Sequence, residues 1–225
     1  MQNYTLCSLL FETKGSYDSN LNTLLQEIEN CPENSIIVAP EVCLTGFDYD
    51  RFDLAKDFTV KAIESIKEIS HNKIITLTLI EEKDDKIFNV LKVIHNAEVV
   101  HERAKSRLFR LGNEHKYFEE GDENDLSIID SGGIKIATLI CFEPRFKELW
   151  KKCEGADLIV VPAWWGVLRT DHYKSLCKTL AIMNQCYVIA SDSMNEECSR
   201  MSAIITPNGE THYNGNNTCL KLPYN

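Results

Sequence analysis

An α/β fold is predicted for this 225-residue chain, and three observations predict it. Short β-branched runs such as Ile36-Ile37-Val38-Ala39 and Leu158-Ile159-Val160-Val161 read as strands buried on both faces. Segments with a helical period lie between several of these runs. Extended runs joined by tight turn signals read as hairpins, so antiparallel pairing is expected as well. Sheets covered by helices satisfy all three, and more than one sheet is expected.

In chain order, residues 4–11 read as a strand. Leu21, Leu24, Leu25 and Ile28 share one helical face over 21–28. Residues 36–39 form a short buried strand, and Val60, Ile63, Ile66 and Ile69 mark a helix over 54–69. Runs 74–80, 87–94 and 98–104 are separated by Asp84-Asp85 and Asn96, the pattern of an antiparallel meander. Strands follow at 127–129 and 134–140, split by the Ser131-Gly132-Gly133 turn. A helix over 145–153, a strand at 157–161 and a helix over 173–184 come next. Strands at 187–191 and 202–206 close the core. A faint internal echo pairs Ile36-Ile37-Val38-Ala39-Pro40-Glu41 with Leu158-Ile159-Val160-Val161-Pro162-Ala163. It fits two facing half-units, or a shared way of ending strands.

Composition narrows the function. No linker or low-complexity tract divides residues 1–225, which read as one domain. A net charge of −10, with no dominant Lys/Arg cluster, argues against a nucleic-acid partner. No apolar run nears the ~20 residues that cross a bilayer, and Met1-Gln2-Asn3-Tyr4-Thr5 lacks the basic start of a signal peptide. A cytoplasmic protein without a membrane partner is expected. The nine cysteines include no Cys-x-x-Cys and no Cys/His spacing typical of zinc, so no metal site is expected. Without a secretion signal, a disulfide framework is not expected either.

Three strand-end segments carry chemistry. Pro40-Glu41 to Phe47 offers a carboxylate, His101 to Phe109 offers the Lys105 ammonium, and Ile140-Cys141-Phe142-Glu143-Pro144 offers a thiol. In α/β architectures functional groups gather at strand ends. Acyl transfer uses such groups as base, oxyanion partner and nucleophile. Taken singly, each has a plainer reading: a buried cysteine, a solvated loop acid, a surface lysine among Arg103, Arg107 and Arg110. The strand-to-helix position of Cys141 adds one more expectation, a thiolate favoured by a helix N-terminus.

The joint pattern resembles the nitrilase superfamily, the carbon–nitrogen hydrolases. Pro40-Glu41…Thr45-Gly46-Phe47, Lys105…Leu108-Phe109 and Cys141-Phe142-Glu143…Arg145-Phe146 match in order and spacing. Gly112-Asn113-Glu114…Phe118…Gly121, Pro162-Ala163-Trp164, His172-Tyr173, Asn184-Gln185, Ser202 and Pro207-Asn208-Gly209 extend the likeness over nearly the whole chain. The resemblance implies two facing mixed β-sheets flanked by helices, an αββα sandwich. It implies a Glu41–Lys105–Cys141 triad, Glu114 as a supporting acid and the Phe142 backbone N–H in an oxyanion hole. Trp164 is a candidate for lining the substrate pocket, against the plainer reading of a core-edge tryptophan; Glu114 is weighed against a solvated acid. The implied reaction is thioester-forming hydrolysis of a small amide, carbamoyl compound or nitrile. No cofactor is implied, and a homodimer or higher homo-oligomer is. An inactive binding protein on the same fold, or transfer of the acyl group to an acceptor other than water, are the rival readings.

Departures from the family pattern bear on the substrate subgroup and quaternary contacts. Glu143 stands where Asp is usual, Lys147 replaces a Pro, and the helix signature Arg-Ala-x-Glu-Asn becomes Leu180-Ala181-Ile182-Met183-Asn184, without its two charges. The sequence also runs only a short way past Pro207-Asn208-Gly209, without the extension that many relatives use in dimer packing.

Overall fold

Pairs of neighbouring residues that face opposite ways explain why the β-branched runs are apolar throughout. The computed structural model describes residues 3–215 and 217–224; Met1 and Gln2 of the N-terminal stretch lie outside the described residues. From the N-terminus, β1 (Thr5–Leu9) leads through α1 (Tyr17–Glu29) to β2 (Ser35–Val38), and α2 (Phe52–Glu68) leads to β3 (Lys73–Lys83). The meander is completed by β4 (Lys86–His95) and β5 (Glu98–Ala104). In β2, Ile36 and Val38 pack inward against the second sheet, while Ile37 and, just past the strand's end, Ala39 pack outward under α1 and α2. Period-2 geometry with both faces covered demands this.

The second half repeats the plan. Strands β6 (Ile129–Ser131) and β7 (Ile134–Thr138) precede α3 (Lys147–Lys151), β8 (Leu158–Pro162), α4 (Thr170–Asn184) and β9 (Tyr187–Ser191). Then come β10 (Ala203–Ile205), β11 (Thr211–Tyr213) and β12 (Cys219–Pro223). One sheet has the order β12-β1-β2-β3-β4-β5 and the other β11-β10-β9-β8-β7-β6. In each, three parallel strands meet antiparallel ones. The two sheets face each other, with Leu6, Ile36, Ile74 and Leu91 packed in one core with Ile136, Leu158, Val160 and Ile189. Helices cover the outside, so the expected αββα sandwich is the fold. The echoing runs are β2 and β8, and Glu41 N–H donates to Ala163 O at 3.3 Å where the two run out.

Turn chemistry holds the meander in register. Asp84 and Asp85 have φ of 53° and 59°, and Asn96 and Ala97 have 51° and 64°. These are left-handed pairs suited to two-residue hairpins.

Three expectations need correction. The helix expected over 145–153 is a 3₁₀ turn at Glu143–Arg145 followed by the five-residue α3. Pro144 starts that turn, and Phe146 is extended (φ −106°, ψ 105°), which interrupts the helix. The strand expected at 127–129 is shifted to Ile129–Ser131, because the hairpin turns on Gly132 and Gly133, both at positive φ. The core does not close at 202–206: β12 returns to the first sheet and pairs antiparallel with β1. No helix among the described residues is long and apolar enough to cross a membrane.

Candidate active site

The three segments that carry polar chemistry converge where β2, β5 and β7 end. Glu41 follows β2, Lys105 follows β5, and Cys141 follows β7 after Leu139-Ile140 continue its pairing with β8. Two of these turns hold non-glycine residues in the left-handed region, Val42 at φ 41° and Cys141 at φ 45°. For a β-branched valine that conformation is an outlier, and strain of order 1–3 kcal/mol persists only where the surroundings enforce it. The enforcing contacts are Val42 N–H to Thr78 Oγ1 at 2.7 Å and Cys141 N–H to Pro162 O at 2.8 Å.

Burial and charge define the electrostatics. Glu41 and Lys105 are fully buried, and Lys105 Nζ donates to Glu41 Oε1 at 2.7 Å and to Glu114 Oε1 at 2.8 Å. Asn89 Nδ2 adds a 2.8 Å bond to the same Glu41 oxygen, and Trp164 N–H donates to Glu41 Oε2 at 3.1 Å. Glu114 is buried too, its second oxygen accepting the Phe109 N–H at 2.8 Å. It is not the solvated acid of the plainer reading. Lys105 is likewise no surface lysine: burial disfavours its charge, but Glu114 and Glu41 hold its pKa well above the ordinary value.

Cys141 is buried, with its thiol beside the Glu41 carboxylate. Burial, and then the negative charge of Glu41, push the thiol well above its usual value. The expected thiolate at a helix N-terminus is therefore not the resting form. The following turn is too short to act as a dipole, and buried carboxylates dominate the local field. Burial also raises the Glu41 pKa, against the pull of Lys105.

Glu143, read as a departure from the family pattern, is a structural anchor. Its carboxylate takes Arg103 Nη1 at 3.0 Å and Nη2 at 2.5 Å, Ser106 N–H at 2.7 Å, Ser106 Oγ at 3.0 Å and Ile140 N–H at 2.7 Å. Both charged groups are fully buried. Burial works against the carboxylate, yet Arg103 and the backbone donors hold its pKa below the ordinary value. This pair ties the β5 end carrying Lys105 to the β7 end carrying Cys141. In sequence, Arg103 looked like one of four neighbouring basic surface residues.

A narrow cleft opens onto Cys141. Phe109, Phe142, Trp164 and Trp165 form its apolar wall, with the guanidiniums of Arg145 and Arg169 beside it. Arg145 stacks 4.9 Å over Trp165, and Arg169 lies 4.9 Å over Phe109. Among the described residues neither arginine pairs with a carboxylate; Arg145 Nη2 meets His172 Nδ1 at 3.0 Å. Trp164 does line the cleft, edge-on to Phe47 at 6.0 Å. Sequence reasoning missed Asn89, Arg103 and Arg169. A lone Asn inside the apolar run of β4 was a usable signal; nothing local marks the other two.

The αββα sandwich thus brings a buried acid, ammonium and thiol together at its strand ends. The carbon–nitrogen hydrolase family pattern matches residues 14–216, and the chain belongs to that family. It is similar to the 2-oxoglutaramate amidase of Bacillus subtilis strain 168, with 30% identity over 77% of this chain and 71% of that protein. Similarity to the omega-amidase YafV of Escherichia coli strain K12 is 27% over 85% of this chain and 77% of that one. A carbon–nitrogen hydrolase superfamily protein from Xanthomonas campestris shares the fold, with a TM-score of 0.84 and 21% identity over 100% of this chain and 91% of that one. The family and these amidase relatives make the chain a hydrolase of the amidase kind, acting on amide C–N bonds.

Proposed function

We propose that the chain hydrolyses the terminal amide of a small acid through a Cys141 thioester, with Glu41 as base and Lys105 as oxyanion partner. The observation that carries this reading is the buried Lys105 ammonium, which spends two of its three protons on Glu41 and Glu114 beside the Cys141 thiol. Its third N–H is left for an oxygen that gains charge. Glu41 takes the Cys141 proton, and the sulfur forms a bond to the amide carbon while the carbonyl π pair moves to oxygen. Lys105 and the Phe142 N–H receive that oxyanion; losing one such donor costs roughly 2.7–4 kcal/mol. Protonated Glu41 hands its proton to the departing nitrogen, and ammonia leaves as the carbonyl re-forms. Water, losing a proton to Glu41, then adds to the thioester carbon; the C–S bond breaks and the sulfur takes that proton back from Glu41, which releases the acid and restores the thiol.

Two features support an acidic acyl group. The relatives named above include a 2-oxoglutaramate amidase and an omega-amidase, and the cleft presents two guanidiniums without carboxylate partners among the described residues. Bidentate capture of a carboxylate is what arginine geometry favours. Arg169→Ala is expected to raise KM for carboxylate-bearing amides about tenfold or more, as loss of a charge-assisted hydrogen bond of about 1.5–3 kcal/mol implies. Neutral amides of equal length should be unaffected. Equal loss on both substrate sets, measured as ammonia release, would remove the acidic acyl group from the proposal.

The pH profile follows from the same residues. Activity needs Glu41 ionised, and its pKa lies above the ordinary 4.5, so protonation on lowering pH begins earlier than for a solvated glutamate. An acid limb in kcat/KM is expected above pH 4.5. Glu114 is one of the charges that raise Glu41, so Glu114→Gln should move the limb to lower pH. A limb that stays in place in that variant would separate Glu114 from the base.

A further inference from the structure

Three sulfurs meet on the outer face of the first sheet, away from the cleft. In the β1–β12 pair, Cys7 lies opposite Lys221 and Leu9 opposite Cys219. Cys7 and Cys219 therefore project from one face, a diagonal step apart. That face carries α1, which ends at the cap Asn30 and delivers Cys31 next in the chain. The three Sγ atoms all lie within 4.8 Å of one another, with Cys31 and Cys219 3.8 Å apart. No other group of three or more His, Cys, Asp or Glu among the described residues gathers its ligand atoms in this way.

We propose that Cys7, Cys31 and Cys219 form a three-thiolate site for a soft monovalent cation of the copper(I) class. Thiolate sulfur selects soft ions. A metal–sulfur bond of about 2.3 Å places three trigonal sulfurs about 4.0 Å apart, so the observed spacing needs little adjustment. A structural divalent site would call for a fourth ligand, and among the described residues no further His, Cys, Asp or Glu joins the three.

Charge points the same way. Three thiolates and one monovalent cation leave two negative charges, and two ammoniums stand beside them. Lys73 Nζ donates to Ile28 O at 2.8 Å and Lys221 Nζ to Asn30 O at 2.8 Å, both carbonyls of the segment that carries Cys31. Cys7 and Cys31 are buried in the outer apolar core, which excludes competing water, and the half-buried Cys219 on the edge strand β12 provides an entry path. Loading sends the thiol protons to solvent and changes no oxidation state. The linear positions 7, 31 and 219 hide the site, because a strand pairing over two hundred residues apart assembles it.

The test uses reduced Cys141→Ala protein, so that the Cys141 thiol supplies no ligand. Under anaerobic conditions it is titrated with copper(I), supplied as its acetonitrile complex, against a chromogenic copper(I) chelator. One equivalent should be retained, with Cys219 protected from iodoacetamide on loading. Cys31→Ser and Cys219→Ser, each in the same background, should weaken retention by at least the roughly 10–100-fold typical of losing even a supporting residue around a metal. Cys43→Ser, a buried thiol outside the cluster, should retain copper unchanged. Cys219 is half-buried, so its variant keeps the test decisive if Cys31→Ser fails to fold. No retained copper, or equal retention in the Cys219→Ser variant, would overturn the proposal.

Discussion

Replacing Cys141 by alanine is expected to abolish ammonia release from amides, by a factor on the order of 10⁵ or more, as for the loss of a covalent nucleophile. Folding should survive, because the change removes one buried sulfur and leaves the Glu41–Lys105–Glu114 network intact. Intact mass supplies the second readout. Wild-type protein incubated with a slowly turned-over amide should carry the acyl mass, and the alanine variant should carry none. An adduct that persists without Cys141 would place the nucleophile elsewhere, and the remaining eight thiols could then be searched. The resting thiol is protonated, since burial and Glu41 raise its pKa. Iodoacetamide labelling should therefore fall sharply in Glu41→Gln, which keeps the shape of the base and removes its capacity to take the proton.

The second large effect concerns stability. Glu143→Gln is expected to destabilise the fold by about 3–5 kcal/mol, because it leaves the buried Arg103 guanidinium without its counter-charge. For a chain of this size the melting temperature should fall by roughly 6–20 °C. The folded pKa of Glu143 lies below its unfolded value of 4.5, so its contribution is complete above that value and is lost as pH falls through the folded pKa. The gap between variant and wild type should accordingly be widest above pH 4.5 and close on acidification. A loss below about 1 kcal/mol, typical of an exposed pair, would show that the pair is a bystander. Because Glu143 joins the β5 and β7 ends, activity should fall in parallel even where the variant is folded.

Much of the candidate site is readable along the chain because strand ends are local features. Pro40-Glu41 and Cys141-Phe142 each follow a continuous apolar run, and Lys105 follows the last extended run of the meander; such runs can be recognised without knowing their partners. Glu143 shows where that reading stops. In sequence it is an acid in a turn, next to a proline; its worth depends on Arg103, forty positions earlier. The same holds for β12, a five-residue edge strand with a lysine and a terminal proline, which gains its identity only by pairing with β1. Trp164 and Trp165 are neighbours that pack differently. Both border the cleft, but Trp165 is buried and stacked on Tyr173 at 4.8 Å, while Trp164 is half-buried and edge-on to Phe47.

Periodicity and turn chemistry act over a few residues, so residue order alone was enough for the α/β class, most of the elements and the three chemical groups at strand ends. Protonation depends on desolvation and on charges brought from distant segments. Only the folded chain therefore decides that Cys141 rests as a thiol, that Lys105 stays charged in the interior, and that Glu114 is buried beside it. Strand register, too, is a property of pairs. The β1–β12 register brings Cys7 and Cys219 to one face beside Cys31 at the end of α1, and the turns after β7 and β8 set Arg145 and Arg169 along one cleft.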